Sequence, residues 1–264
     1  MGSLCVIIPV HEYSKDIEAL LKRAVASVPK EIEVRISCKY GLSDEIYKGI
    51  EDSRVVVYES EDESSPSDFC TLVNQAVGDT EWFSILEFDD EFTPIFLDNF
   101  RKYEEFYPNV SVFMTLQDVI DYKNGSFLSI GNEAPWASSF SNDIGYIDND
   151  CLQGYFDFYM TGAVFNTADW EEVGGLKPSM KVSFWYEFML RATNKGKKLY
   201  VIPKVCYKHY LGRENSIVAH ILHNMSEKEG KWWVKQARKE CFFTFDRPKE
   251  YKESDDSEDI KSQD

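Results

Sequence analysis

The stretch Ile85-Leu86-Glu87-Phe88-Asp89-Asp90-Glu91-Phe92-Thr93-Pro94 decides how the chain reads. An apolar run from Trp82 to Leu86 stops at a cluster of carboxylates. A proline then opens a segment with apolar residues at Ile95, Phe96, Phe100 and Tyr103. A buried parallel strand is a continuous apolar run, and proline is tolerated in the first turn of a helix. The pattern therefore predicts a strand that ends in acids and a helix with Pro94 in its first turn. In open α/β sheets, ligands sit at the carboxyl ends of strands. Carboxylates placed there are hard oxygen donors suited to Mg²⁺ or Mn²⁺, which commonly bridge to phosphates. A solvated acidic turn is the competing reading of the same residues.

The residues before this stretch alternate between strand and helix patterns. Leu4 to Val10 is a near-continuous apolar run, a first buried strand. Ser14 can cap a helix whose apolar face is Ile17, Leu20, Leu21, Ala24, Val25 and Val28, and Pro29 stops it. Ile32, Val34 and Ile36 alternate as a second strand that ends near Cys38-Lys39-Tyr40. Ser43 to Ile50 reads as a weaker helix, Val55 to Tyr58 as a short strand, and a helix beginning near Pro66 buries Phe69, Leu72, Val73, Ala76 and Val77. Such alternation predicts an α/β fold, a mostly parallel central sheet flanked by helices.

The later residues are less regular. Val110 to Leu116 reads as a strand, and Gly125 to Gly154 is a long aperiodic stretch of the kind that forms a functional loop or lid. Phe184 to Lys195 is an amphipathic helix ended by Gly196. Leu199 to Ile202 and Val205 to Tyr210 read as two strands separated by Pro203. Ser226 to Glu240 is a last helix in which Trp232 and Trp233, being adjacent, are expected to point to different faces, one to the core and one away from it.

Composition excludes some classes of function. A net charge of -17 argues against nucleic acid and against an anionic membrane surface as partners. No run suits a transmembrane helix, the first residues lack a signal-peptide pattern, and a cytoplasmic protein is expected. The six cysteines form no Cys-X-X-Cys pair and suit buried reduced thiols. Residues 250–264 read as a disordered acidic tail after a single domain of residues 1–249.

The order of these motifs resembles glycosyltransferase family 2, the inverting nucleotide-sugar enzymes of GT-A fold. Cys5-Val6-Ile7-Ile8-Pro9-Val10 is similar to the family's opening strand, Asn74-Gln75-Ala76 to the helix before its metal motif, and Leu86-Glu87-Phe88-Asp89-Asp90 to that Asp-X-Asp-Asp motif. Gly162-Ala163-Val164-Phe165 with Trp170 to Leu176 resembles the acceptor segment, and Glu187-Phe188-Met189-Leu190-Arg191 the helix that carries the base. The resemblance implies a Rossmann-like GT-A domain. Residues 1–105 would bind the nucleotide-sugar, residues 106–215 the acceptor, and residues 216–249 would add a helical segment. It implies a UDP-, GDP- or dTDP-sugar donor, Mn²⁺ or Mg²⁺, and a glycan or glycoconjugate acceptor. Donor contacts would fall at Pro9, Val10, Glu12, Lys39 and Asn74, and at Glu87, Phe88, Arg191 and Arg213.

Asp89 matches the second acid of the motif and is the first choice of metal ligand, with Glu87 and His209 as further ligands. Asp90 is a second acceptor or a helix cap. Inversion needs a base for the acceptor hydroxyl, and Glu187 is the candidate, although Glu187 and Arg191 are also spaced for an ordinary helix ion pair. The match has three departures. Ser37-Cys38-Lys39-Tyr40 stands where the family often has an Asp for the base of the nucleotide. Phe184 and Trp185 stand at its Glu-Asp, and the metal motif opens with Glu87 rather than Asp. Should Glu187 not serve, Asp143, Asp148, Asp150 and Asp157 are the alternative bases. A nucleotidyltransferase would carry a glycine-rich loop where Val10 to Lys15 has no glycine, and a carbohydrate-binding protein without catalysis is the rival from another class.

Overall fold

Leu4–Val10 (β1) is buried at every position, which is why its sequence has no polar alternation. The computed structural model describes residues 2–214, 216 and 225–240. The acidic tail, Cys241 and much of the 216–249 segment lie outside the described residues. β1 pairs in parallel with Glu33–Cys38 (β2) on one side and Trp82–Ile85 (β4) on the other, and β2 pairs in parallel with Val55–Glu59 (β3). The side chains of β1 alternate between two cores. Val6, Ile8 and Val10 face one layer, and Cys5 and Ile7 the other.

Helices cover this parallel half as the periodicity requires. Lys15–Ser27 (α1) starts where the Ser14 hydroxyl accepts the Ile17 amide at 3.3 Å, and Ser43–Gly49 (α2) follows β2. Phe69–Ala76 (α3) begins three residues later than Pro66. Asp68, not the proline, satisfies the open turn, its carboxylate accepting from Thr71 N at 3.1 Å.

The other half of the sheet is built from Glu91–Phe92 (β5), Val112–Asp121 (β6), Phe127–Gly131 (β7), Tyr146–Ile147 (β8), Val164–Asn166 (β9) and Leu199–Leu211 (β10). Among the described residues the order is β3-β2-β1-β4-β9-β6-β10-β5, with β7 on β6 and β8 on β10. β9 runs antiparallel to both β4 and β6 and so joins the two halves, while β6 and β10 are parallel. The result is one α/β domain with a mostly parallel centre and antiparallel additions.

Three expectations change. The two strands on either side of Pro203 are one strand, β10. Its register against β6 shifts between Ile202 and Val205, so the proline sits in a bulge where no ladder N–H is needed. Gly125 to Gly154 is not an unstructured lid. It holds β7, a 3₁₀ turn at Ala134–Trp136, β8 and the helix Asn149–Gly154 (α5). Asn132 pins it: its amide nitrogen donates to Thr115 O and Tyr159 O at 3.0 and 2.8 Å, and its side-chain oxygen accepts from Tyr159 N. Pro94 lies in the turn before Phe96–Phe106 (α4), because the short strand β5 occupies the residues after the acids.

Thr167–Val173 (α6), Phe184–Asn194 (α7) and Glu227–Glu240 (α8) close the second layer. Trp232 and Trp233 are both buried and meet edge to face at 4.8 Å, so neither is presented outward. Cys5, Cys38, Cys70 and Cys206 are buried thiols, and Cys151 is a half-buried one. None of the described helices is long and apolar enough to cross a membrane.

Candidate functional site at the carboxyl edge of the sheet

β4 ends under a tight turn in which Asp90 N donates to Glu87 O at 3.0 Å. β5 then runs back antiparallel to β10, with Phe92 opposite Tyr207 and Glu91 opposite Lys208. That pairing carries the end of β10 across the acidic turn. His209 Nδ1 lies 2.9 Å from Asp90 Oδ2, and Tyr210 N donates to Asp90 Oδ1 at 2.7 Å. The Glu87 amide donates to the Tyr207 hydroxyl at 3.2 Å. Beyond the strand, Arg213 Nε donates to Asp89 Oδ2 at 2.6 Å, with its guanidinium 4.9 Å above the Phe88 ring. Arg23 of α1 donates to Asp89 O at 2.7 Å, pairs with Glu91 at 3.0 Å and lies over the Tyr210 ring.

One glycine makes this approach possible. Gly162 has φ 76°, its N–H donates to Ile85 O at 2.7 Å, and a Cβ there would lie 2.3 Å from the Tyr207 ring. Any side chain would drive Tyr207 from beneath the turn. The same segment brings the Tyr159 ring within 5.1 Å of the His209 ring.

Burial sets the electrostatics. It pushes the Glu87 carboxyl up to about 8, and the charges of Asp90 and Asp89 add to the effect. Burial also raises Asp90, against the pull of its His209 hydrogen bond. Burial disfavours the His209 imidazolium, but the bond to Asp90 and the charges of Asp90, Glu87 and Asp89 outweigh it and lift the group to about 9. The bond to Asp90 and the surrounding acids thus favour the imidazolium form of His209, while burial favours the protonated form of Glu87.

The expected metal set does not fit this arrangement. Both Asp90 oxygens, the Asp89 Oδ2 and the His209 Nδ1 already have protein partners. Among the described residues no three His, Cys, Asp or Glu side chains converge to hold an ion. Asp89 and His209 meet protein partners at this edge, Arg213 and Asp90, and Glu87 lies beside them.

The remaining expected residues divide in two. Pro9 and Val10 are buried at the end of β1, Glu12 and Lys39 are exposed on the loops beside it, and Phe88 is the floor under Arg213. A cleft of ≈ 550 Å³ opens here, lined by Glu12, Tyr13, Ser14, Tyr122, Gly212 and Arg213. Asn74, Glu187 and Arg191 belong elsewhere. Asn74 clamps the chain after Gly175, donating to Leu176 O at 2.9 Å and accepting Leu176 N at 3.1 Å.

Glu187 is 0 % exposed. One oxygen meets Lys177 Nζ at 2.9 Å, and Arg191 reaches both oxygens at 2.9 and 2.8 Å. Arg191 also donates to the carbonyls of Val173 and Gly175. A carboxylate sealed and doubly paired in this way is not placed to take a proton from an acceptor, so the expected base and the expected Arg191 phosphate contact do not fit. Of the alternative bases, Asp148 caps α5, accepting Cys151 N at 2.8 Å, whereas Asp157 is exposed two residues before Tyr159. The contributions of Arg23, Lys177 and Tyr207 had no signal in sequence, because each depends on pairings made far along the chain.

The fold is similar to that of S. aureus TarS. A crystal structure of TarS 1-349 in complex with UDP matches with a TM-score of 0.57 and 15% identity, covering 91% of this chain and 72% of that one. The same region in complex with UDP-GlcNAc matches at 0.56 and 14%, covering 93% and 74%. A further TarS structure matches at 0.54 and 16%, covering 93% of this chain and 44% of that one. No family model matches the chain, and no curated protein matches it.

Proposed function

We propose that the chain binds a nucleotide-sugar donor at the carboxyl ends of β1 and β4 and transfers its sugar, with inversion, to a hydroxyl of a glycan or glycoconjugate. The observation that carries this reading is the convergence of Glu87, Asp89 and Asp90 with His209 and Arg213 at the ligand-binding edge of the sheet, beside an open cleft. The TarS complexes with UDP and UDP-GlcNAc support a uridine nucleotide as first choice. The ordered family 2 motifs support the inverting course. Arg213 meets the diphosphate, since a guanidinium recognises phosphate oxygens through two donors at once. Pro9, Val10 and Phe88 shape the floor, and Glu12 and Lys39 flank it.

An inverting transfer needs a base on the acceptor side. Asp157 takes that role in place of Glu187, being exposed on the segment that packs Tyr159 against His209. A second reading, donor binding without transfer, is favoured by Phe184 and Trp185, which stand at the family's usual acids and are packed against Phe69.

Calorimetry with UDP, GDP, dTDP and CMP, followed by release of UDP from UDP-GlcNAc, tests both. Binding of one nucleotide and measurable release are expected. Asp157→Asn should keep the binding and lower turnover by about 10²–10⁴. Equal turnover would remove Asp157 from the mechanism. Tight binding with no release under any acceptor would favour the second reading, and no binding at all would end the proposal.

A further inference from the structure

We infer that Arg213 is a tethered cation that takes the place of a divalent ion at the carboxylate cluster, so that this site is closed to metal and meets a diphosphate through protein charge alone. The diphosphate half rests on the donor-binding function above; the closure to metal does not.

Geometry comes first. The acid best placed to hold an ion is Asp89, and Arg213 Nε already sits 2.6 Å from its Oδ2. The pair is well shielded, with 11% of the arginine and 7% of the aspartate side chain exposed. The guanidinium is fixed from a second direction by the Phe88 ring 4.9 Å away. An ion reaching Asp89 would have to break a charge-assisted bond and a cation–π contact together, in a partly desolvated place where both are strong.

Charge points the same way. Three carboxylates of the cluster each face a protein cation: Asp89 faces Arg213, Asp90 faces His209, and Glu91 faces Arg23. Those cations offset charge that would otherwise draw a divalent ion, although the sequence reads as strongly acidic.

The placement of Arg213 also suits an anion. It follows Gly212, whose φ of 93° turns the chain at the end of β10, and it borders the ≈ 550 Å³ cleft. Its Nε is committed to Asp89, whereas its Nη atoms take no hydrogen bond among the described residues. One edge of the guanidinium is thus held by Asp89, and the other is available to phosphate oxygens.

The test uses the full chain and Mn²⁺ itself. The electron paramagnetic resonance signal of free Mn²⁺ is read with an equimolar amount of the wild type, Arg213→Ala, Arg213→Gln, and each of these with Asp89→Asn added. UDP binding is measured alongside by calorimetry in EDTA and in Mn²⁺. For the wild type, adding Asp89→Asn should leave the Mn²⁺ signal unchanged. Once Arg213 is removed, Mn²⁺ uptake that disappears with Asp89→Asn should emerge. UDP should bind the wild type equally in both buffers. Asp89-dependent uptake of Mn²⁺ by the wild type overturns the inference, as does a fall in UDP affinity of more than about tenfold in EDTA. Failure of both Arg213 variants to gain uptake would also overturn it, since Arg213 would then not be what closes the site. If the Mn²⁺ pattern holds and no nucleotide binds in either buffer, the closure to metal stands and the donor-binding function falls.

Discussion

Asp89 and Glu187 are both carboxylates held by an arginine, yet the two pairs are built for different tasks. Asp89 and Arg213 are 124 residues apart and meet at the rim of a cleft, on the turn after a strand and the loop after another. Glu187 and Arg191 are one helical turn apart, joined by Lys177, and closed off from solvent. An ion pair in a sealed interior gains little over an apolar core of the same shape, but breaking one partner strands the other charges. An ion pair at a cleft can exchange its partner for a ligand. The helix Glu-Arg pair thus belongs to the architecture of α6 and α7, and the turn Asp-Arg pair is the one placed in the proposed binding site.

The largest effect should come from breaking the sealed group. Glu187→Gln removes the buried carboxylate that Lys177 and Arg191 share and should lower stability by about 3–5 kcal/mol. Denaturant unfolding checks this. A loss near the about 0.3–0.5 kcal/mol of an exposed helix pair would erase the contrast.

The rim should show itself through pH. The folded-state value of His209 is lifted to about 9, above its ordinary value, so its contribution is complete below the unfolded pKa and is lost as pH rises through about 9. Melting curves should therefore fall more steeply between about pH 6.5 and 9 for the wild type than for His209→Gln. Parallel curves would mean that the Asp90–His209 pair does not report on the fold.

The smallest effect concerns a site that belongs to neither group. Ser14 caps α1 through a 3.3 Å bond to the Ile17 amide. Ser14→Ala should lower stability by about 1 kcal/mol and leave nucleotide affinity unchanged, which scales the two larger effects. A change in UDP affinity would show that the cap, which borders the cleft, also positions the ligand.

Much of the parallel half was legible because its signals are local. The apolar run of β1, the cap and period of α1, and the stop at Pro29 each act within a few residues. So was the position of Glu87, Asp89 and Asp90, since an apolar strand that ends in acids places them at its carboxyl end. The second half was less legible. Pro203 reads as a break between strands, but a bulge absorbs it, and the pairing with β6 continues on both sides. The stretch from Gly125 to Gly154 has no period, yet Asn132 and the indole of Trp136, which donates to Val201 O at 3.0 Å, tie it to the sheet.

By itself the sequence determined the α/β class, the order of elements through β4, and the identity of the acids at its end. Only the tertiary structure decided what those acids do. Whether a carboxylate awaits a metal, pairs with a cation or stays protonated depends on which charges stand within a few ångströms and how much water remains. For Asp89 and Asp90 those neighbours are Arg213 and His209, brought from about 120 residues away by the pairing of β10 with β5 and β6, and for Glu87 the decisive change is burial beside the other two acids.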